Sequence, residues 1–167
     1  MQRISAEPTV AVVGATGAVG EELLALLAER RFPVRNLRLF ASARSAGRTL
    51  HALGRDVAVE PLVPGCFAGT DIAFFSASGG VSKEWAPQAV AAGAWAIDKS
   101  SAFRMDRRYP LAIPEVNGEV LDALQSPTIV AVPNCTTIIA LMAVTPLHRE
   151  VGVARMVVST YQSASGA

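Results

Sequence analysis

Cysteine is scarce in this sequence. Cys66 and Cys135 are the only two, they stand in unrelated surroundings, and no CxxC pair occurs. Neither a disulfide framework nor a zinc site is expected, and free thiols in a reducing compartment are. Net charge is equally scant: fifteen basic residues against fourteen acidic leave +1 at neutral pH, which excludes the diffuse basic surface that grips nucleic acid or anionic lipid. The longest uninterrupted apolar run, Ile138 to Val144, is far shorter than the ~20 residues of a membrane-spanning helix. Met1 to Pro8 carry no apolar stretch of the kind that directs export. No nucleic acid, membrane or metal is an expected partner, and a cytoplasmic location is expected. Internal repeats, low-complexity tracts and long linkers are absent as well.

What is present is apolar. Hydrophobic residues make up 51% of the 167 and charged residues 17%, which describes one folded unit with an extensive interior. The apolar segments alternate between two kinds. Short β-branched runs at residues 9–13, 37–41, 71–75, 95–98, 128–131 and 156–160 read as strands, the first of them buried on both faces. Residues 21–30 read as a helix with Leu23, Leu24, Leu27 and Ala28 on its apolar face, and 83–92, 118–124 and 135–150 read as further helices. Residues 48–51 and 57–60 around Gly54 predict an antiparallel hairpin, and 100–114 a loop. Such alternation predicts an α/β fold, a doubly wound, Rossmann-like, mostly parallel sheet.

Gly14-Ala15-Thr16-Gly17-Ala18-Val19-Gly20 joins the first strand to the first helix. Glycines permit the backbone conformations and close approach that such a tight turn needs, and the free N–H groups of the helix start favour a pyrophosphate. The spacing is G-x-x-G-x-x-G; its place between a buried strand and a leucine-faced helix is what makes it a dinucleotide signal. The end of the second strand selects the dinucleotide. An NAD site sets an acid there, whereas from Arg30 to Arg55 no carboxylate occurs, and arginines stand at 30, 31, 35, 38, 44, 48 and 55. Ser42, Arg44 and Ser45 leave the strand in position to hold a 2′-phosphate, so NADP is the expected cofactor.

Pro133-Asn134-Cys135-Thr136-Thr137 follows another strand and opens the longest helix. A thiol in a first helical turn faces unpaired N–H groups and the positive end of the dipole, which favour the reactive thiolate. It can attack a carbonyl and carry an acyl group as a thioester. Asn134 either caps that helix or donates to a developing oxyanion. Cys66, in Pro64-Gly65-Cys66-Phe67-Ala68, lacks such a setting and reads as structural.

Gly14–Gly20, Ser42-Ala43-Arg44-Ser45-Ala46-Gly47, Phe103-Arg104, Pro114-Glu115-Val116-Asn117, Pro133–Thr137 and Ser159-Thr160-Tyr161-Gln162-Ser163-Ala164-Ser165-Gly166-Ala167 together resemble aspartate-β-semialdehyde dehydrogenase, in order from Thr9 to the last residue. The resemblance implies NADPH-dependent reductive dephosphorylation of aspartyl phosphate to the semialdehyde, on the route to lysine, threonine and methionine, with Cys135 forming the acyl-thioester. It implies that Thr16, Gly17, Ala18 and Val19 cradle the pyrophosphate, that Ser42, Arg44 and Ser45 hold the 2′-phosphate, and that Arg104 binds the phosphoryl group. Gln162 would then contact the substrate, Ser165 and Gly166 would lie against the nicotinamide end, and the Ser76–Gly80 segment would pass close to the cofactor.

Lys99 stands where relatives usually carry Asn, and neither His51 nor His148, the only histidines, lies in a motif like the family's base. Relatives continue about as long again, into a second α/β domain that brings a histidine base, a carboxylate-binding arginine and dimer contacts. The expected division is a cofactor domain at residues 1–134 and the start of a catalytic, dimerising domain at 135–167, whose remainder lies beyond residue 167. The intact enzyme would be a homodimer or homotetramer, and the 167-residue chain nearly inert and prone to self-association. Two alternatives compete: N-acetyl-γ-glutamyl-phosphate reductase, which shares the chemistry and the glycine turn, and a non-catalytic dinucleotide-binding fragment.

Overall fold

A computed structural model describes residues 5–161 of the chain. Its elements follow in the order β1 (Thr9–Val13), α1 (Ala18–Glu29), β2 (Asn36–Ala41), β3 (Thr49–Ala52), β4 (Arg55–Pro61), β5 (Ile72–Phe75), α2 (Gly79–Ala91), β6 (Trp95–Asp98), α3 (Pro114–Asn117), α4 (Glu119–Asp122), β7 (Ile129–Ala131) and α5 (Cys135–Val151). The strands form one sheet in the order β3-β4-β2-β1-β5-β6-β7. Every pairing is parallel except β3 with β4. The fold is the doubly wound, Rossmann-like sheet expected from the alternation. β1 lies at its centre, and the chain turns outward in opposite directions after β1 and after β5, so the crevice between those two strand ends is the place where such sheets receive ligands.

Side-chain alternation along the strands divides the core in two. Ala11, Val13, Phe40, Ala73, Phe75 and Ala96 face α2 through its Ala86 and Ala89. Val10, Val12, Leu37, Leu39 and Ile72 face the other way, toward Leu24 of α1. All five residues of β1 are buried, because helices cover both faces.

Several expectations shift. The hairpin is present, with Leu53 and Gly54 both at positive φ (51° and 73°) in its two-residue turn. It is no appendage, however, because β4 pairs in parallel with β2 and extends the main sheet. Helices α1 and α2 begin earlier than their apolar patterns do, because glycine-containing first turns carry no hydrophobic periodicity; Ser78 caps α2 by accepting from the Val81 N–H at 3.5 Å. Ala28 is exposed rather than part of the α1 contact face. The 118–124 helix shrinks to one turn, α4, and is preceded by another short turn, α3, across Gly118, where a Cβ would stand 2.5 Å from the Pro114 carbonyl oxygen. Residues 156–160 form no strand. The sheet edge beyond β7 is already taken by residues 110–112, whose Ala112 N–H donates to Ala131 O at 3.1 Å while Ala131 N–H donates to Pro110 O at 2.9 Å. The apolar run 156–160 is exposed and pairs with no strand among the described residues.

Candidate active site

The glycine turn is built by close backbone contact. Gly14 has φ +84°, and a Cβ on it would lie 2.4 Å from Ser76 O; a Cβ on Gly20 would lie 2.2 Å from Gly14 O. The N–H groups of Gly14 and Ala15 both donate to Phe40 O, at 2.8 and 3.1 Å, which ties the turn to β2. The first bond of α1 runs from Glu21 N–H to Gly17 O, at 2.9 Å, so the N–H groups of Ala18, Val19 and Gly20 have no carbonyl within the helix. Gly17, Ala18 and Val19 are exposed and Thr16 is half-buried. These donors and the positive helix end sit at the β1–β5 crevice, where a diphosphate fits.

Beyond β2, Ser42 O accepts from the N–H groups of Ser45 and Ala46 at 2.8 and 3.1 Å, and Gly47 N–H donates to Val59 O at 2.9 Å, which anchors the turn to β4. Ser42 and Arg44 are exposed and Ser45 is half-buried. The strand register brings one acid to this region that the local sequence does not contain: Glu60 of β4 stands beside Phe40. Arg38 occupies it bidentately, Nε to Oε1 at 3.1 Å and Nη2 to Oε2 at 2.5 Å. With Glu60 engaged, Arg44 and Arg48 have no carboxylate partner among the described residues. A cavity of ≈ 300 Å³ lies between this turn and the crevice, lined by Gly14, Ser42, Ala43, Leu62, Val81 and Trp85 among others. Larger hollows of ≈ 760 and ≈ 410 Å³ lie between α1 and the β3–β4 hairpin and share no lining residue with it. Ser76, whose N–H donates to Val13 O at 2.8 Å, keeps a buried hydroxyl with no hydrogen-bond partner.

The carboxyl edge of β6 and β7 carries the thiol. Asn134 caps α5: its Oδ1 accepts from the Thr136 N–H at 3.0 Å and from the Thr136 hydroxyl at 2.5 Å. The Cys135 Sγ lies 3.9 Å from the same oxygen and is exposed. Capping therefore occupies the Asn134 carbonyl and leaves its amide N–H₂ without a partner among the described residues. Arg104 is half-buried, with Nε donating to Val132 O and Nη2 to Lys99 O, each at 2.9 Å. Two main-chain carbonyls thus brace the guanidinium and leave Nη1 without a partner among the described residues. Arg108 is the opposite case, an exposed arginine whose pairing with Asp106 holds that carboxyl down to about 2. The loop that carries Arg104 starts from fully buried Asp98, which accepts from Ser100 N–H at 3.2 Å and from the Ser100 hydroxyl at 2.8 Å. Phe103 seals it edge-on against Tyr109, with ring centroids 5.2 Å apart.

Gln162, Ser165 and Gly166 lie outside the described residues. Cys66 is buried, and burial pushes its thiol above the ordinary range. His51 pairs with exposed Asp56 on the hairpin, and His148 Nδ1 accepts from the Val153 N–H at 3.1 Å near the end of α5. Sequence reasoning missed Asp98 as the anchor of the Arg104 loop and Glu60 as the acid neutralised by Arg38. An Asp-x-Ser signature was available for the first; the second depends on strand register alone.

The unpartnered Ser76 hydroxyl and the two glycine positions that a Cβ would obstruct fit a dinucleotide at this crevice. The comparisons agree. The family model described as semialdehyde dehydrogenase, NAD binding domain, matches residues 9–124. The aspartate-semialdehyde dehydrogenase of Synechocystis sp. is 50% identical over 95% of this chain and 46% of its own length, and that of Aquifex aeolicus 49% identical over 95% and 47%. The crystal structure of aspartate semialdehyde dehydrogenase II from Vibrio cholerae, complexed with ASA, superimposes with a TM-score of 0.84 at 45% identity, covering 88% of this chain and 48% of that one. The chain spans about half the length of the relatives it matches. No helix among the described residues is long and apolar enough to cross a membrane. By that match, which takes in the whole of the sheet up to β6, the chain belongs to the semialdehyde dehydrogenase family and carries its NAD binding domain.

Proposed function

We propose that this chain is the cofactor-binding and nucleophile-bearing part of an NADPH-dependent enzyme that converts L-aspartyl-4-phosphate to L-aspartate 4-semialdehyde and inorganic phosphate, in the pathway to lysine, threonine and methionine. The observation that carries the reading is an exposed Cys135 at the head of α5, three residues after Val132, whose carbonyl together with that of Lys99 braces the Arg104 guanidinium.

The dinucleotide's diphosphate would lie on the free N–H groups of Ala18, Val19 and Gly20 beside Thr16 and Gly17, its adenosine in the ≈ 300 Å³ cavity and its 2′-phosphate on Ser42, Arg44 and Ser45. Preference for NADP follows from an exposed arginine without a carboxylate partner at that turn. When bound, the reduced dinucleotide supplies a hydride. The chain's own residues do the rest. The Cys135 thiolate attacks the acyl carbon, a C–S bond forms, the C–O bond to phosphate breaks, and Arg104 holds the departing phosphate. The Asn134 amide N–H₂, its Oδ1 engaged in capping, would donate to the developing oxyanion. By the resemblance, Gln162 would serve the substrate, and Ser165 and Gly166 the nicotinamide end. The thioester carbonyl is then reduced and the thiolate expelled to give the aldehyde.

Residues 1–134 form the cofactor domain and 135–167 begin a second, catalytic and dimerising domain of a cytoplasmic homodimer or homotetramer. The absence of any buried residue in α5 supports that division. The test is turnover: a full-length form is expected to reduce NADP with aspartate semialdehyde and phosphate, far faster than with NAD or with N-acetylglutamate semialdehyde. Turnover of the N-acetylated substrate instead would transfer the assignment to the homologous reductase, and no turnover of either would leave a binding module.

A further inference from the structure

The hollow of ≈ 760 Å³ between α1 and the hairpin lies at the amino edge of the sheet, walled by the end of α1, the chain leading into β2 and the β3–β4 turn. It shares no lining residue with the cavity of the cofactor crevice at the carboxyl edge. Three arginines line it, Arg31, Arg35 and Arg55, and among the described residues Glu7 is the one acid of its lining, a formal balance of +2. No carboxylate pairs with any of the three arginines among the described residues. Residues 1–4 and 162–167 contain no Asp or Glu.

The fold brings these guanidiniums together from three separate places in the chain. Arg55 is half-buried and donates from Nη1 to the Arg35 carbonyl at 3.2 Å, while Arg35 Nη2 donates to Thr9 Oγ1 at 3.5 Å. Each keeps further N–H donors without a partner among the described residues. Arg31 stands at the stop of α1, where its N–H donates to Ala28 O at 3.0 Å and the Phe32 N–H donates to Leu27 O at 2.9 Å. Its φ is +49°, and that of Leu53, which lines the same hollow from the hairpin, is +51°. They are the only non-glycine residues in the left-handed region among the described residues. Glycine or asparagine favours both positions, so a cation and an apolar side chain are kept on this hollow at a cost to the backbone. Buried Leu27 and half-buried Phe32 and Leu53 make the rest of the wall apolar.

We propose that this hollow binds a nucleoside triphosphate, with its phosphates on Arg31, Arg35 and Arg55 and its base against Phe32 and Leu53. Guanidinium forks match phosphate oxygens pairwise, and a balance of +2 calls for a ligand with at least two negative charges. The volume is that of a site for a small organic molecule, and the apolar wall gives a planar base a surface that a bare ion would leave empty. A nucleic-acid chain is the wrong occupant, because the net charge of the protein is only +1. The proposal does not depend on the acyl-phosphate reading.

Equilibrium dialysis of the 167-residue chain against ATP at low salt tests it. Saturable binding is expected, weakened roughly ten-fold by Arg31→Gly and by Arg55→Gln and unchanged by Arg44→Ala. Arg31→Gly suits the left-handed turn, so a loss of binding in that variant is not a loss of folding. Absence of saturable binding up to millimolar ATP overturns the proposal. So does binding that Arg44→Ala weakens and Arg31→Gly does not, which would place the nucleotide in the cofactor crevice. Inorganic tripolyphosphate isolates the role of the base and is expected to bind roughly ten-fold more weakly than ATP. Equal affinity for the two overturns the nucleoside assignment.

Discussion

Residues 9–61 and residues 135–161 are both rich in aliphatic side chains, yet they behave as opposites. In the first region every residue of β1 is buried, and the β2 and β4 side chains interlock with α1 around Val12 and Leu39, both 0% exposed. In the second, α5 runs for seventeen residues without one buried residue, and Ile139 and Val151 are 72% and 79% exposed. Helical periodicity locates a helix in either case. Burial requires a second surface, which the sheet provides to α1 and which nothing among the described residues provides to most of α5.

The comparison predicts where substitutions matter. The largest effect is chemical and belongs to the exposed region: Cys135→Ala in a full-length form should cut turnover by about 10⁴-fold or more while NADP binding, followed by titration, is retained. Next comes Gly20→Val in the first region, which forces a side chain against Gly14 O and should lower unfolding free energy by roughly 3 kcal/mol in urea titrations, with loss of cofactor binding. Leu39→Ala and Leu147→Ala sharpen the contrast as a pair. The first should cost about 3 kcal/mol and the second less than about 0.5 kcal/mol in the 167-residue chain, because only Leu39 leaves a cavity. A comparable cost for Leu147→Ala would mean that α5 is covered and that the contrast between the regions is false. Smaller again, Arg44→Ala should weaken NADP binding about ten-fold and leave NAD binding unchanged, as read by calorimetry. Asp106→Asn should do nothing measurable to the melting temperature at neutral pH. The carboxyl is held below its unfolded value, so any stabilisation from its Arg108 pair is present above the unfolded range and fades as pH falls toward about 2, and the Arg108 side of the pair is open to solvent.

Much of the cofactor crevice was legible, and for local reasons. Gly14, Gly17 and Gly20 form a turn whose requirements are set within seven residues, and β1, β2, β5, β6 and β7 announced themselves as short buried runs. Asn134 was legible as a choice between two roles, and the Thr136 N–H resolved the cap. Elements governed by distant partners were less so. The strand expected at 156–160 is absent, its residues exposed and without a strand partner among the described residues, and the α2 start was hidden by Gly79 and Gly80, which have no side chains to show periodicity.

The order of elements, the glycine turn and the placement of Cys135 at a helix start were determined by the sequence itself, because each depends on residues within one or two turns of one another. Tertiary structure alone decided three things. It paired β4 with β2 so that Glu60 meets Arg38 and, among the described residues, leaves Arg44 without a carboxylate partner. It braced Arg104 with the carbonyls of Lys99 and Val132, and it exposed α5. All three depend on which strands lie side by side, and that is settled by the burial of whole faces across long loops rather than by any local preference.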